Sequence, residues 1–288
     1  MRLELRETEL STFSQEISHK ERFWRCLAMN QKNNLIIGLI IAGVVVMSAN
    51  VDADPRDFVE GLPNIGIMLQ DITEVDSSLF VTAFWSMLET IEMAFIGTVV
   101  GVAIALPLSL LAARNLNHKF VYVPVRALLA AIRTFPSILW AILFVIIVGL
   151  GPFAGVLAIT MYTVGFIAKL QYEAIEAIDA DPMDAVGAIG VSKLQLIRFV
   201  VLPESASHLL SQILYIFDYN IRQTSILGLV GAGGIGFYII NYIKFFEYGK
   251  AAVFMLVVLA TVLIIEWVSV RVRDKYIVKS QRGMQVKS

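Results

Sequence analysis

Residues 134–168 read TFPSILWAILFVIIVGLGPFAGVLAITMYTVGFIA, an unbroken run without a single charged side chain. A helix needs roughly 20 mostly apolar residues to cross a bilayer, so this run is too long for one crossing. The group Gly149-Leu150-Gly151-Pro152 divides it in two, because glycine and proline punctuate helices. Working outward, Asn33–Val51 and Met93–Ala113 are also free of charge. Pro203–Ile226 is more polar but keeps a helical apolar pattern, and Ala251–Val270 is apolar except for Glu266. Six crossings are expected, hence an all-α polytopic membrane protein held in a lipid bilayer.

Composition points the same way. The 288 residues are 57% hydrophobic and 16% charged, with a mean hydropathy of +0.73, which is not the balance of a soluble domain. A net charge of -1 argues against nucleic-acid binding, which draws on an excess of Lys and Arg. The single cysteine, Cys26, excludes an internal disulfide framework and a cysteine-based metal cluster. No cleaved signal is expected, because charges are scattered from Arg2 to Lys32 ahead of the first apolar run.

Basic loops favour the cytoplasm. The N-terminal tail, Arg114–Arg126, Lys169–Arg198 and the tail from Arg271 to Lys287 fall on one side, whereas 52–81 carries seven acids against Arg56 alone. Both termini are expected inside, with Leu227–Gly249 outside. The resulting division is 1–33 cytoplasmic tail, 34–51 first membrane helix, 52–81 external acidic loop, 82–275 core with a cytoplasmic segment at 173–203, and 276–288 cytoplasmic tail.

That segment has helix punctuation of its own. Asp181 can cap, Pro182 suits a first helical position, Asp184 follows three residues after the cap, and Gly190 can end the helix. The spacing predicts a short helix over Pro182–Ile189. Ser192 can cap a second helix, whose Leu194, Ile197 and Val201 form an apolar stripe before Pro203 opens the next span. Glu173 and Glu176 read as the solvated end of the preceding span.

Asp184-Ala185-Val186, then Gly190, Val200 and Leu202-Pro203, are spaced as in the integral membrane subunits of binding-protein-dependent ABC importers, and the chain resembles that family. The family pattern is Glu-Ala-Ala, three residues, Gly, nine residues, Ile, any residue, Leu-Pro. This chain has Asp for Glu, Val for the second Ala and Val for Ile. Further runs resemble the phosphonate-transport permease branch: Arg133-Thr134-Phe135-Pro136, Val148–Ala158, Glu173–Ile178 and Leu227–Gly236. The likeness covers roughly residues 80–275.

The resemblance implies a type I ABC importer transmembrane domain in a bacterial inner membrane, working as a homodimer. It implies a coupling helix that docks on an ATPase, placed here at Asp181, Pro182, Met183, Asp184, Ala185, Val186, Gly187, Ala188, Ile189, Gly190, Val191 and Ser192. ATP and Mg would be held by the partner ATPase dimer, with no cofactor in this chain, and an external solute-binding protein would deliver the substrate. The branch implies a phosphonate or related phosphorus oxyanion such as phosphite or phosphate. A permease for another small solute is the alternative.

Charges at membrane depth need partners and are candidates for function. Asp218 and Arg222, four apart, can pair on one helical face. Arg133, Asp218, Arg222, Thr224 and Ser225 are the candidate substrate pathway, since guanidinium matches phosphonate oxygens; a structural ion pair or an interfacial side chain is the competing reading. Glu89 and Glu92 are expected to pair with Arg133, Arg222 or Lys244. The glycines Gly231, Gly233, Gly234 and Gly236 suit an external gate or a tight turn. They resemble a dinucleotide fingerprint on the surface, but follow a membrane helix rather than a strand.

A self-powered secondary transporter would also have six spans, yet the two halves lack paired interrupted helices. An embedded enzyme would need a convergent set, and His19, His118 and His208 are scattered. No GxxxxGK[ST] loop occurs, so ATP-driven transport would need another polypeptide as motor.

Overall fold

A computed structural model describes residues 34, 37–43, 46, 55–73, 76, 78–188 and 190–273, and among these no strand occurs. The chain divides into two units, Met1–Ile67 and Met68–Ser288. In the first unit, residues 34, 37–43 and 46 are helical; the rest of the expected first span, 33–51, lies outside the described residues. Helix α1 (Pro55–Thr73) occupies much of the expected acidic loop. Pro55 opens it, where a missing N–H breaks no bond.

The second unit continues with α2 (Leu79–Ala112), α3 (Lys119–Thr134), α4 (Ser137–Val148), α5 (Pro152–Glu176), α6 (Ala180–Gly187), α7 (Lys193–Leu196), α8 (Leu202–Leu227), α9 (Ile235–Lys244) and α10 (Tyr248–Arg273). Four stretches are long and apolar enough to cross a membrane: α2, α5, the run Lys193–Val230, and α10. The bent pair α3–α4 makes a fifth if taken as one broken span. Helix α2 starts fourteen residues before the charge-free run Met93–Ala113, because Glu89 and Glu92 are carried within the helix. Its 34 residues span about 50 Å, more than a hydrocarbon core of about 30 Å.

The frame is built on α2 against α5. Gly97 and Gly101 lie one turn apart on α2, and a methyl group added to either would sit 2.6 Å from Ile159 Cγ2 or Thr163 Cβ. Small residues four apart bring two backbones close where lipid supplies no hydrophobic drive between helices. Helix α8 closes against this pair through Asn220, whose Nδ2 donates to Thr98 Oγ1 and Thr163 Oγ1 at 2.8 Å each. Around this polar node lie two apolar clusters, one with Ala105, Leu129, Ile167 and Ile216, the other with Ala94, Ile221, Ile235 and Phe254.

Two local features follow from proline. Between α3 and α4 the chain bends by 87°. Phe135 is extended at φ -88°, ψ 122°, the region to which the ring of Pro136 confines its predecessor, and Trp140 Nε1 donates across the corner to the Ile132 carbonyl at 3.3 Å. Lys119–Thr134 is thus a helix, and its first half lies where the charge pattern predicts the cytoplasmic connection Arg114–Arg126. Pro203 sits in the first turn of α8, as expected, but the chain does not break ahead of it. Lys193 to Val230 runs as one helical stretch, with a π turn at Ile197–Val201 whose wider spacing accommodates a residue that offers no N–H and crowds the preceding turn.

Candidate coupling and pathway sites

The segment after α5 folds into two short helices. Helix α6 begins at Ala180, so Asp181 and Pro182 lie inside its first turn rather than at a cap and the position after it. Met183, Asp184, Ala185, Val186 and Gly187 complete it; Ile189 lies outside the described residues. Gly190 then has φ +81°, the left-handed conformation that ends helices cheaply only at glycine. Val191 is half-buried. Ser192 makes a capping box with Gln195: its Oγ accepts from the Gln195 N–H at 3.4 Å while Gln195 Oε1 accepts from the Ser192 N–H at 2.8 Å. Of the expected apolar stripe, Val201 is buried and Ile197 half-buried, whereas Leu194 is 75% exposed; Val200 is buried beside Val201. The π turn rotates the face that meets the bundle.

This two-helix knob is tied to the bundle by residues that the sequence pattern does not single out. Met183 packs on Ala113, Ile175 and Val201. Asn115 Nδ2 donates to the Ile175 carbonyl at 2.9 Å, and the Arg114 N–H donates to Glu176 Oε1 at 2.6 Å. Arg126 forms an ion pair with Glu176 and stacks its guanidinium 4.3 Å from the centre of the Tyr172 ring. Glu176 is therefore not a solvated helix end: its side chain is 12% exposed. Glu173, half-exposed, pairs with Lys169 at 3.3 Å. The i, i+4 spacing of Tyr122 and Arg126 is the sequence signal that could have drawn attention to this anchor. Asp181, Pro182, Ala185, Ala188 and Gly190 remain exposed on the outer face of the knob. Behind it opens a cavity of about 150 Å³, lined among others by Ile178, Asp179, Glu204, Ser205 and His208.

The candidate pathway residues separate by burial. Arg222 donates to Asp218, the pairing their spacing predicts, with the arginine side chain 45% and the aspartate 11% exposed. Thr224 is fully buried, its hydroxyl donating to the Asn220 carbonyl at 2.7 Å. Ser225 donates to the Ile221 carbonyl at 3.0 Å. Arg133 stands exposed in the last turn of α3. Neither Glu89 nor Glu92 joins an ion pair among the described residues.

The glycines between α8 and α9 form a closed, packed turn. Gly231, Gly233 and Gly234 all have φ between +73° and +80°, conformations costly for any side chain. Gly231 accepts at its carbonyl from the Gly151 N–H at 3.0 Å, joining this turn to the α4–α5 turn. The Ile235 N–H donates to Thr90 Oγ1 at 2.8 Å. A methyl group on Gly236 would lie 1.8 Å from the Ser225 carbonyl oxygen.

Residues 105–276 match the family described as "binding-protein-dependent transport system inner membrane component". The chain is 40% identical over 198 residues to the putative phosphite transport system permease protein HtxC of Stutzerimonas stutzeri, covering 68% of this chain and 70% of that protein. It is 33% identical over 230 residues to the phosphite transport system permease protein PtxC of the same organism, covering 79% and 84%. The phosphate-import permease protein PhnE of Mycolicibacterium smegmatis is 33% identical over 246 residues, covering 85% of this chain, which spans 46% of that protein's length. In fold it is similar to a chain of the inward-facing MetNI methionine ABC transporter, with a TM-score of 0.61 at 22% identity over 70% of this chain and 99% of that one. With the two proline-shaped helices and the knob in place, the chain belongs to the binding-protein-dependent transport system inner membrane component family, as a multi-pass permease subunit.

Proposed function

We propose that this chain forms the translocation pathway of an ATP-driven importer for phosphonate or a related phosphorus oxyanion, phosphite or phosphate. The observation that carries the reading is the anchored knob: Asp181, Pro182, Ala185, Ala188 and Gly190 face outward, and the knob is tied at its base to α2, α3 and α5. Such an element suits a docking point for a motor, because force applied to it reaches three membrane helices through the two ion pairs of Glu176 and one apolar cluster. The named phosphite and phosphate permeases among the relatives support the solute class.

In this mechanism two copies of the chain face each other across the pathway, and an ATPase subunit seats on each knob at Asp181–Ser192. A solute-binding protein delivers substrate from outside, and both termini lie in the cytoplasm. Closure of the ATPases on ATP and Mg, which those partners hold, draws the knobs together and shifts the pathway from inward-facing to outward-facing. The ATPase supplies differential binding free energy to a two-state bundle. Arg133, Arg222 and Ser225 border the route, with Asp218 and Thr224 buried behind them. The glycine turn at 231–236 acts as a rigid external stop, fixed to the α4–α5 turn and to Thr90.

The test is growth of cells lacking this subunit on methylphosphonate, phosphite or phosphate as sole phosphorus source. Loss of growth on at least one, restored by the chain, is expected. Undiminished growth on all three contradicts the solute assignment.

A further inference from the structure

At the α3–α4 corner a set of donors points to one place. Ser137 Oγ donates to Gln223 Oε1 at 2.7 Å, and Gln223 Nε2 donates to the Tyr219 hydroxyl at 3.0 Å. The Tyr219 ring stacks on Tyr162 with centroids 5.6 Å apart and planes at 18°, and the two phenols act on each other electrostatically. In this arrangement serine gives to the amide oxygen and the amide nitrogen gives to the phenol. Tyr219 therefore enters as an acceptor. Whichever way the Tyr162–Tyr219 contact is polarised, one phenolic proton of the pair is left over to be donated outward. Bonds aligned in series also polarise one another and strengthen that last donor.

Beside it stands Arg133. Its backbone packs on Gly165, where an added methyl group would lie 3.3 Å from the Arg133 nitrogen. Gly165 is near the middle of the 25-residue α5, so Arg133 sits near mid-depth of the bundle, where an arginine is costly without a partner. No carboxylate pairs with it among the described residues, and it acts electrostatically on the Tyr162 hydroxyl. A half-exposed Tyr215 extends the ring stack along the same side. An exposed guanidinium and a spare phenolic donor share a preference for one class of ligand, a small oxyanion with at least two free oxygens.

We infer that Arg133, Tyr162 and Tyr219, held by Gln223 and Ser137, form a substrate oxyanion subsite midway along the translocation route. This deepens the proposed function and rests on it for the identity of the anion. Arg133 supplies the charge, a tyrosine hydroxyl of the stacked pair supplies one directed hydrogen bond, and Gln223 and Ser137 are positioning residues that orient that proton. The Arg222–Asp218 pair is already neutralised within α8 and is not part of this subsite.

The test is uptake of radiolabelled methylphosphonate, phosphite and phosphate by proteoliposomes holding the whole transporter with its ATPase and binding protein. Tyr162→Phe and Tyr219→Phe keep the ring stack and remove one hydroxyl each. At least one of them is expected to raise the half-saturation concentration for the transported anion about tenfold, the loss of one hydrogen bond to a charged group. Arg133→Gln is expected to reduce uptake at least as much, with Arg133→Lys recovering part of it. Gln223→Leu, which removes the orienting amide, is expected to raise half-saturation more than it lowers maximal uptake. Monodisperse elution of each variant with its partners guards against misfolding. Anion uptake that is normal in both tyrosine variants and in Arg133→Gln overturns the subsite and leaves the proposed function standing. A wild-type transporter that moves none of the three anions overturns both.

Discussion

Arg126 on α3 and Glu176 at the end of α5, fifty positions apart in sequence, form an ion pair under the knob. The same carboxylate takes the Arg114 N–H from the end of α2, so one buried side chain gathers three membrane helices at the point where α6 departs. Arg126→Ala would leave that carboxylate only the exposed Arg114 guanidinium, whose Nε lies 3.5 Å from Oε2. Losing a hydrogen-bonded partner of a charged group costs about 1.5–3 kcal/mol, and the expected result is a thermal midpoint a few degrees lower, read by fluorescence on the purified subunit. Glu176→Gln keeps an acceptor for the Arg114 N–H and is expected to lose less. Equal stability of Arg126→Ala and the wild type would show that the pair is incidental.

The contact of Gly101 with Thr163 makes a second prediction. A methyl group at Gly101 would lie 2.6 Å from Thr163 Cβ, at a backbone-to-backbone approach with little slack. Gly101→Val is expected to force α2 from α5 and destabilise the bundle by about 1–3 kcal/mol, the usual range for overpacking. The matched change Gly38→Val lies where an added methyl group meets nothing within 4 Å and is expected to be neutral. Thermal midpoints of the two variants, compared under one detergent, give the answer.

Asn220 offers a third. Its amide joins Thr98 on α2 to Thr163 on α5, and interhelical hydrogen bonds of this kind are each worth about 0.6 kcal/mol in membranes. Asn220→Leu is expected to cost about 1 kcal/mol from the two bonds lost. Thr98→Val and Thr163→Val each remove one acceptor, and each is expected to cost less than Asn220→Leu, whose loss contains both. A double-mutant cycle between positions 220 and 98 that shows no coupling contradicts the node.

In the α8–α9 turn, Gly236→Ala would place a carbon 1.8 Å from the Ser225 carbonyl oxygen. The α8–α9 turn must open to admit it. Uptake is expected to fall severely while the chain still reaches the membrane, measured as transport against the amount of subunit in membrane fractions. Unchanged uptake would mean that the turn is loose in the working protein.

The legible part of this molecule was the part written in runs and breaks. Absence of charge over 134–168 and the Gly149–Pro152 break gave two helices at the right place, and Ser192 marked the start of the second knob helix because capping chemistry is local; the first knob helix, expected over Pro182–Ile189, runs Ala180–Gly187, and Gly190 takes its left-handed turn three residues beyond. Charge gaps misplaced the start of α2, since Glu89 and Glu92 ride inside a helix whose neighbours determine what surrounds them. They also concealed α3, whose first half, with Lys119 and Arg126, read as a cytoplasmic connection until the fold pairs Arg126 with Glu176. Contacts across fifty or more residues, such as Asn220 to Thr98, have no periodic signature in the sequence. For that reason the candidate pathway residues were legible as types, while their sorting into buried and exposed was not: Thr224 is sealed in the core, and Gln223 one position earlier reaches Ser137 on α4.

The central claim is that the outer face of residues 181–192 carries the motor. The most direct measurement is co-purification of the partner ATPase with a tagged chain, comparing wild type with Ala185→Arg and Ala188→Arg, both on the exposed face of the knob. The account predicts that the wild type retains the ATPase and that each bulky cation lowers retention at least about tenfold, as desolvating an unpaired charge at an interface does, with the variants still folded. Full retention of the ATPase by both variants would contradict it.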